Sequence, residues 1–181
     1  LKSMLLWLKC NPKKQGLAFF TEDGIEEIKS RTEIICRNSN LDLGLIDRVN
    51  YICLDNDDRI KWIGTSKNGY TIREDYINSV IEYCLEHKIE YIILDPLKRF
   101  HRLSENSNDD MDVLVRDVFT KIAVDTKAVV LVLHHSNKGE NGGARGASTI
   151  TDSARIAWQI GRYFTKGADG KLTENLEKKG K

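Results

Sequence analysis

The stretch Tyr91-Ile92-Ile93-Leu94-Asp95-Pro96-Leu97 decides how this chain folds. Four consecutive apolar residues suit a short strand covered on both faces, and a carboxylate stands at its C-terminal end. In an open α/β sheet that end is where ligands bind. A second run, Ala128-Val129-Val130-Leu131-Val132-Leu133, also ends in polar residues, His134-His135-Ser136. Two strands bringing titratable groups to one sheet edge point to a site. Asp before Pro is equally an ordinary way to leave a strand, because the residue before proline is held extended and Asp favours turns. The segment alone supports either reading.

Around it, strand-like and helix-like segments alternate. Ser3 to Cys10 reads as a helix stopped by Asn11-Pro12, and Leu17 to Phe20 as a short strand ending at Thr21-Glu22-Asp23-Gly24. Ile25 to about Cys36 is helical, and Val49 to Leu54 is a strand followed by a polar loop. Tyr76, Ile77, Val80, Ile81 and Cys84 form an apolar stripe at helical spacing, and that helix is expected to end near His87. Beyond the Asp95 strand, the polar loop Leu103 to Asp109 offers Asn108 or Asp109 as the cap of a helix. That helix carries Met111, Leu114, Val115, Val118 and Ile122 on one face. Gly139 to Gly143 reads as a flexible loop and Ile156 to Tyr163 as a final strand. Strands separated by such helices predict an α/β fold with one doubly wound, mainly parallel sheet. Residues 1–165 form the expected core. Residues 166–181 are charged and read as a flexible tail.

With 181 residues the chain fits one domain able to bury a single core. Its apolar runs all fall short of the roughly 20 residues a membrane span needs, so no membrane partner is expected. Four scattered cysteines, Cys10, Cys36, Cys53 and Cys84, without a C-x-x-C, read as free thiols of a cytoplasmic protein. A net charge of +1 supplies no global attraction to nucleic acid, so any such binding must come from local patches.

Several residues could carry chemistry. Lys2-Ser3 opens the first helix, as the last two positions of G-x-x-x-x-G-K-[ST] do, with Lys reaching phosphates and the hydroxyl holding magnesium. Glu22 should project at the same sheet edge as Asp95, where a carboxylate can orient and deprotonate a water attacking a phosphoryl group. It could equally open the next helix, where acidic side chains suit the dipole. His134 and His135, if both lie on the strand, point to opposite faces and cannot easily share a metal; one is expected to face a nucleotide or DNA and the other to pack. Lys98, Arg99, His101 and Arg102 surround Phe100, a basic-aromatic pattern suited to single-stranded nucleic acid. Arg145 stands in the small-residue loop Gly142 to Ser148, which can approach a polyanion or serve as a plain surface connection.

Taken in order, these pieces resemble the RepA-type hexameric replicative helicases, within the RecA-like ATPases. The matching stretches are Lys2-Ser3-Met4-Leu5, Phe20-Thr21-Glu22-Asp23, Ile92 to His101, Glu105-Asn106, Leu133-His134-His135 with Lys138, and Arg145-Gly146-Ala147-Ser148. The resemblance implies ATP and magnesium as cofactors, with Lys2 and Ser3 on the phosphates and the metal. It further implies a catalytic glutamate at Glu22, a magnesium-handling aspartate at Asp95 and a sensor at His134 or His135. Lys98, Arg99, Arg102, Arg145 and Ser148 then face single-stranded DNA, or a neighbouring subunit of a ring homo-oligomer in the case of Arg145. The glycine-rich part of the P-loop has no counterpart, and Leu1 stands in place of a glycine. The expectation is therefore a fragment cut inside the P-loop, weak in ATP binding by itself, of an ATP-dependent helicase. A RecA-class recombination ATPase and a non-hydrolysing DNA- or partner-binding domain are the other readings.

Overall fold

The computed structural model describes residues 1–54, 61–67, 69–135, 148–158, 164–166 and 172–174. Four strands form a parallel sheet: β1 (Gln15–Phe20), β2 (Val49–Cys53), β5 (Ile89–Asp95) and β6 (Val129–Val132), in the order β2-β1-β5-β6. A separate antiparallel hairpin, β3 (Ile63–Ser66) with β4 (Gly69–Ile72), lies between β2 and β5 in sequence. The chain steps from β1 outward to β2, then crosses back to β5 on the other side of β1. The winding direction thus reverses between β1 and β5, the two central strands. In such sheets the crevice for a ligand opens at that reversal, beyond the carboxyl ends of the strands.

Alternation along the two central strands assigns each side chain to a face. Ala18 and Phe20 of β1, with Tyr91 and Ile93 of β5, meet α1 (Lys2–Cys10) and α2 (Ile25–Asn38) through Met4, Leu5, Leu8, Ile28 and Cys36. Leu17, Phe19, Ile92 and Leu94 point the opposite way, toward α3 (Glu74–Glu86) and a helical run over residues 108–126. That second face contains a ring cluster in which Phe100 lies 4.9 Å from Trp62 and 6.0 Å from Phe19. Each such fully buried apolar side chain stabilises the fold by roughly 1.5–3 kcal/mol, so β1 and β5 have little freedom to shift. Gly16 is needed for close approach: a Cβ there would come within 2.5 Å of Met4 Sδ, so α1 could not sit where it does on β1.

The α1 tail is anchored too. Arg48, closing the 3-10 turn Leu43–Arg48, donates to the carbonyls of Leu8, Asn11 and Lys14 and so ties down the end of the helix and the turn after it. Among the described residues no helix is long and apolar enough to cross a membrane.

The predicted α/β fold with a parallel sheet between helices is what the structure shows. Several boundaries move. The cap of α4 (Asn108–Val113) is Ser107, whose hydroxyl accepts from Asp110 N, not Asn108 or Asp109. The run continues through a wider π-type turn, Leu114–Thr120, into α5 (Lys121–Thr126). Ile156, Ala157 and Trp158 are not in a strand; the rest of the predicted final strand lies outside the described residues. The hairpin β3–β4 has no counterpart in the sequence reading. After the short helix α6 (Thr149–Asp152), Phe164–Lys166 (β7) pairs antiparallel with Leu172–Glu174 (β8), so that Lys166 and all of β8 are strand where residues 166–181 are expected to be a flexible tail.

Candidate functional site

Asp95 ends β5 opposite Phe20, the last residue of β1. Thr21 clamps the two strand ends together: its N–H and its hydroxyl both donate to the Asp95 carbonyl, at 3.2 and 3.1 Å. Glu22 follows at once, exposed, in the bend between β1 and α2. It stands outside the first turn of α2, where Glu26 and Glu27 are the acidic residues. Asp23 has another task, because Arg31 of α2 donates to it at 2.7 Å and also pairs with Glu27. Glu22 is left facing the sheet edge, with Arg99 Nε at 3.9 Å.

The charges of these groups act on one another. Burial raises the Asp95 carboxyl above the ordinary carboxylate range, and the charges of Glu22 and Asp23 raise it further. The charge of His135 acts in the opposite sense. Lys2 and Ser3 begin α1, both exposed. The Ser3 hydroxyl accepts a hydrogen bond from Tyr91 at 3.1 Å.

Three carboxylates within reach of one another favour a cation. Among the described residues no cluster of three or more His, Cys, Asp or Glu side chains could by itself enclose a metal. That suits magnesium, which keeps much of its water shell and takes one or two carboxylates plus substrate phosphates. Asp95 offers a carboxylate and Ser3 a hydroxyl, donor types that magnesium takes.

Beyond Asp95 the chain makes the 3-10 turn Leu97–Arg99, pinned to the end of β6 by Leu97 N donating to Leu133 O at 2.7 Å. A cleft of ≈ 260 Å³ opens beside this turn, lined by Lys98, Leu103, Ser104, Glu105, Asn106, His134 and His135. Both histidines reach it. β6 ends at Val132, so neither histidine is on the strand; His134 is half-buried and His135 exposed.

The basic-aromatic patch also resolves differently. Phe100 is fully buried among Phe19 and Trp62 and cannot stack on a base. Lys98 pairs with Glu105 at 3.3 Å and Arg99 with Glu22, while Arg102 is exposed and its backbone N–H bonds Ile63 O. His101 is buried: Leu103 N donates to its Nδ1, and its Nε2 faces Glu105 Oε1 at 3.9 Å. This His101–Glu105 pair escaped the sequence reading; the only signal was their spacing of four residues inside a loop. Ser148 is exposed just ahead of α6, and Arg145 lies outside the described residues.

A family profile described as an AAA domain matches residues 6–141. No curated protein matches the sequence.

Proposed function

The chain belongs to that AAA-domain family of P-loop-type ATPases, and from this premise we propose that it forms the motor core of a cytoplasmic DNA helicase or translocase. The motor couples magnesium-dependent ATP hydrolysis to movement on single-stranded DNA, in a ring of six copies by resemblance to the hexameric helicases. The observation that carries the reading is the meeting of Asp95 and Glu22 where the sheet reverses its winding.

Bound magnesium-ATP supplies the phosphoryl group and the charge that the metal neutralises. The residues do the rest. Asp95 holds the metal's water shell, half-buried where water competes less. Glu22 orients a water and takes its proton, a role that geometry favours because Asp23 is occupied by Arg31. Lys2 offsets phosphate charge, and Ser3 presents a hydroxyl already ordered by Tyr91. Arg145 is assigned to the DNA or to the neighbouring copy's nucleotide, where a cation acting in trans can raise the rate by orders of magnitude. Lys98, Arg99, Arg102 and Ser148 are assigned to the DNA-facing side. Residues 1–181 contain no complete G-x-x-x-x-G-K-[ST] to cradle phosphates with backbone N–H groups. On their own they should bind ATP weakly and hydrolyse little.

The test is turnover in the complete protein. Asp95→Asn should lower magnesium-dependent hydrolysis by roughly 100-fold or more, since metal stabilisation is worth several kcal/mol in the transition state. Glu22→Gln should keep nucleotide binding while losing turnover. Undiminished hydrolysis in both variants would remove this site from the reaction.

A further inference from the structure

We propose that the cleft beside the Leu97–Arg99 turn is a phosphate-binding site served by Lys98, and that Glu105 and His101 form a latch releasing the lysine to it. The resting arrangement is unsatisfied. Glu105 Oε1 and His101 Nε2 are both buried and without a hydrogen-bond partner, and they face each other across 3.9 Å. Lys98 Nζ stands 3.3 Å from the same oxygen, as an ion pair outside hydrogen-bonding geometry. Leaving a buried donor and a buried carboxylate oxygen unmet is unfavourable, and native structures rarely tolerate it without a use.

The pair can satisfy itself. Because His101 Nδ1 accepts from Leu103 N, the ring proton sits on Nε2 and points to the carboxylate. Burial, then the charge of Lys98, pushes the His101 pKa down to about 4, so the ring is a neutral donor near neutral pH. Moving Glu105 toward it by roughly 1 Å would bring the gap to normal hydrogen-bond length. The same movement withdraws the carboxylate from Lys98, whose side chain is 61% exposed and lines the cleft. An incoming phosphate would draw Lys98 to itself, while Ser104, Asn106, His134 and His135 offer further donors from the walls. Without the anion, Lys98 pairs with Glu105; with it, Glu105 turns to the His101 N–H and Lys98 to the phosphate. The phosphate can belong to a nucleotide tail or to a nucleic-acid backbone, the chemistry being shared. This site uses neither Asp95 nor Glu22, so it stands whether or not those residues hydrolyse ATP.

The experiment is an NMR titration of residues 1–181 with inorganic phosphate, for the wild type and four variants whose folding is checked by melting. Lys98→Gln should abolish the binding. Glu105→Gln should bind roughly threefold tighter, the size expected when a partly exposed competing ion pair is removed. His101→Phe should bind more weakly, because Glu105 loses its second resting place. The double variant Glu105→Gln with His101→Phe should match Glu105→Gln alone. Opposite signs at Glu105 and His101 are the signature; a merely structural role would weaken both. Should His101→Phe not fold, the Lys98 and Glu105 variants still decide. Binding unaffected by Lys98→Gln, or weakened by Glu105→Gln, overturns the proposal. Displacement of bound phosphate by magnesium-ATP assigns the site to a nucleotide, and displacement by an oligodeoxythymidylate assigns it to a strand. Displacement by neither also overturns it.

Discussion

On one side of the Leu97–Arg99 turn, Asp95 shares its surroundings with two other carboxylates; on the other, His101 is buried beside a single carboxylate it does not quite reach. Acid acts on the two regions in opposite senses. Asp95 has its pKa raised in the folded chain, so the unfolded chain binds fewer protons between the ordinary value and the raised one. Stability contributed there falls as pH rises through that window. The His101 pKa is lowered to about 4, so below pH 6.5 the unfolded chain takes up a proton that the folded chain refuses. Stability at that position is complete above pH 6.5 and is lost as pH falls toward 4. The difference separates a carboxylate crowded by like charges from a buried group that the fold keeps neutral.

The largest effect that could break this contrast is at His101. Chemical unfolding of residues 1–181 should show a loss of roughly 3 kcal/mol between pH 6.5 and pH 4 attributable to this ring. His101→Phe should flatten that slope, and an unchanged slope would mean that the ring is protonated or open to water. A smaller effect of opposite sign belongs to Asp95. In metal-free buffer Asp95→Asn should be at least as stable as the wild type at pH 7, and its advantage should vanish as pH falls. If the variant is instead less stable at pH 7, Asp95 is a structural strand-ending residue after all. The smallest effect is expected at Arg99. Its pair with Glu22 is long and partly exposed, so Arg99→Ala should change melting stability by less than about 1 kcal/mol. A larger loss would show that the turn, not the sheet, holds the two regions in place.

How far the sequence discloses these regions follows from the physics of each. The Asp95 edge was legible because Ile92 to Leu94 and Leu17 to Phe20 are buried on both faces, which leaves an unbroken apolar signal ending in carboxylates. The helix stripes at 76–84 and 111–122 were legible for the same reason, at a period of 3.6. The cleft was not. It depends on where an irregular stretch folds after Pro96, and local pattern does not say that Phe100 and His101 turn inward while Lys98 and Arg102 stay out. The placing of the histidines was not legible either, because β6 stops at Val132, one residue before the apolar run ends. Arg48 gave no signal either, since three backbone carbonyls contributed by distant residues cannot be read from a guanidinium in a loop.

Arg48 has a mechanical consequence. It grips the tail of α1, while the head of that helix is bonded to β5 through Ser3 and Tyr91. Nine helical residues make a rod roughly 13 Å long, so a tilt of about 5° at the gripped end carries the head through roughly 1 Å. The outer strand β2, which begins at the residue after Arg48, thereby holds one end of a lever whose other end bears Lys2 and Ser3. Forces applied at that distant margin of the sheet would be felt as a change in aim of those two side chains.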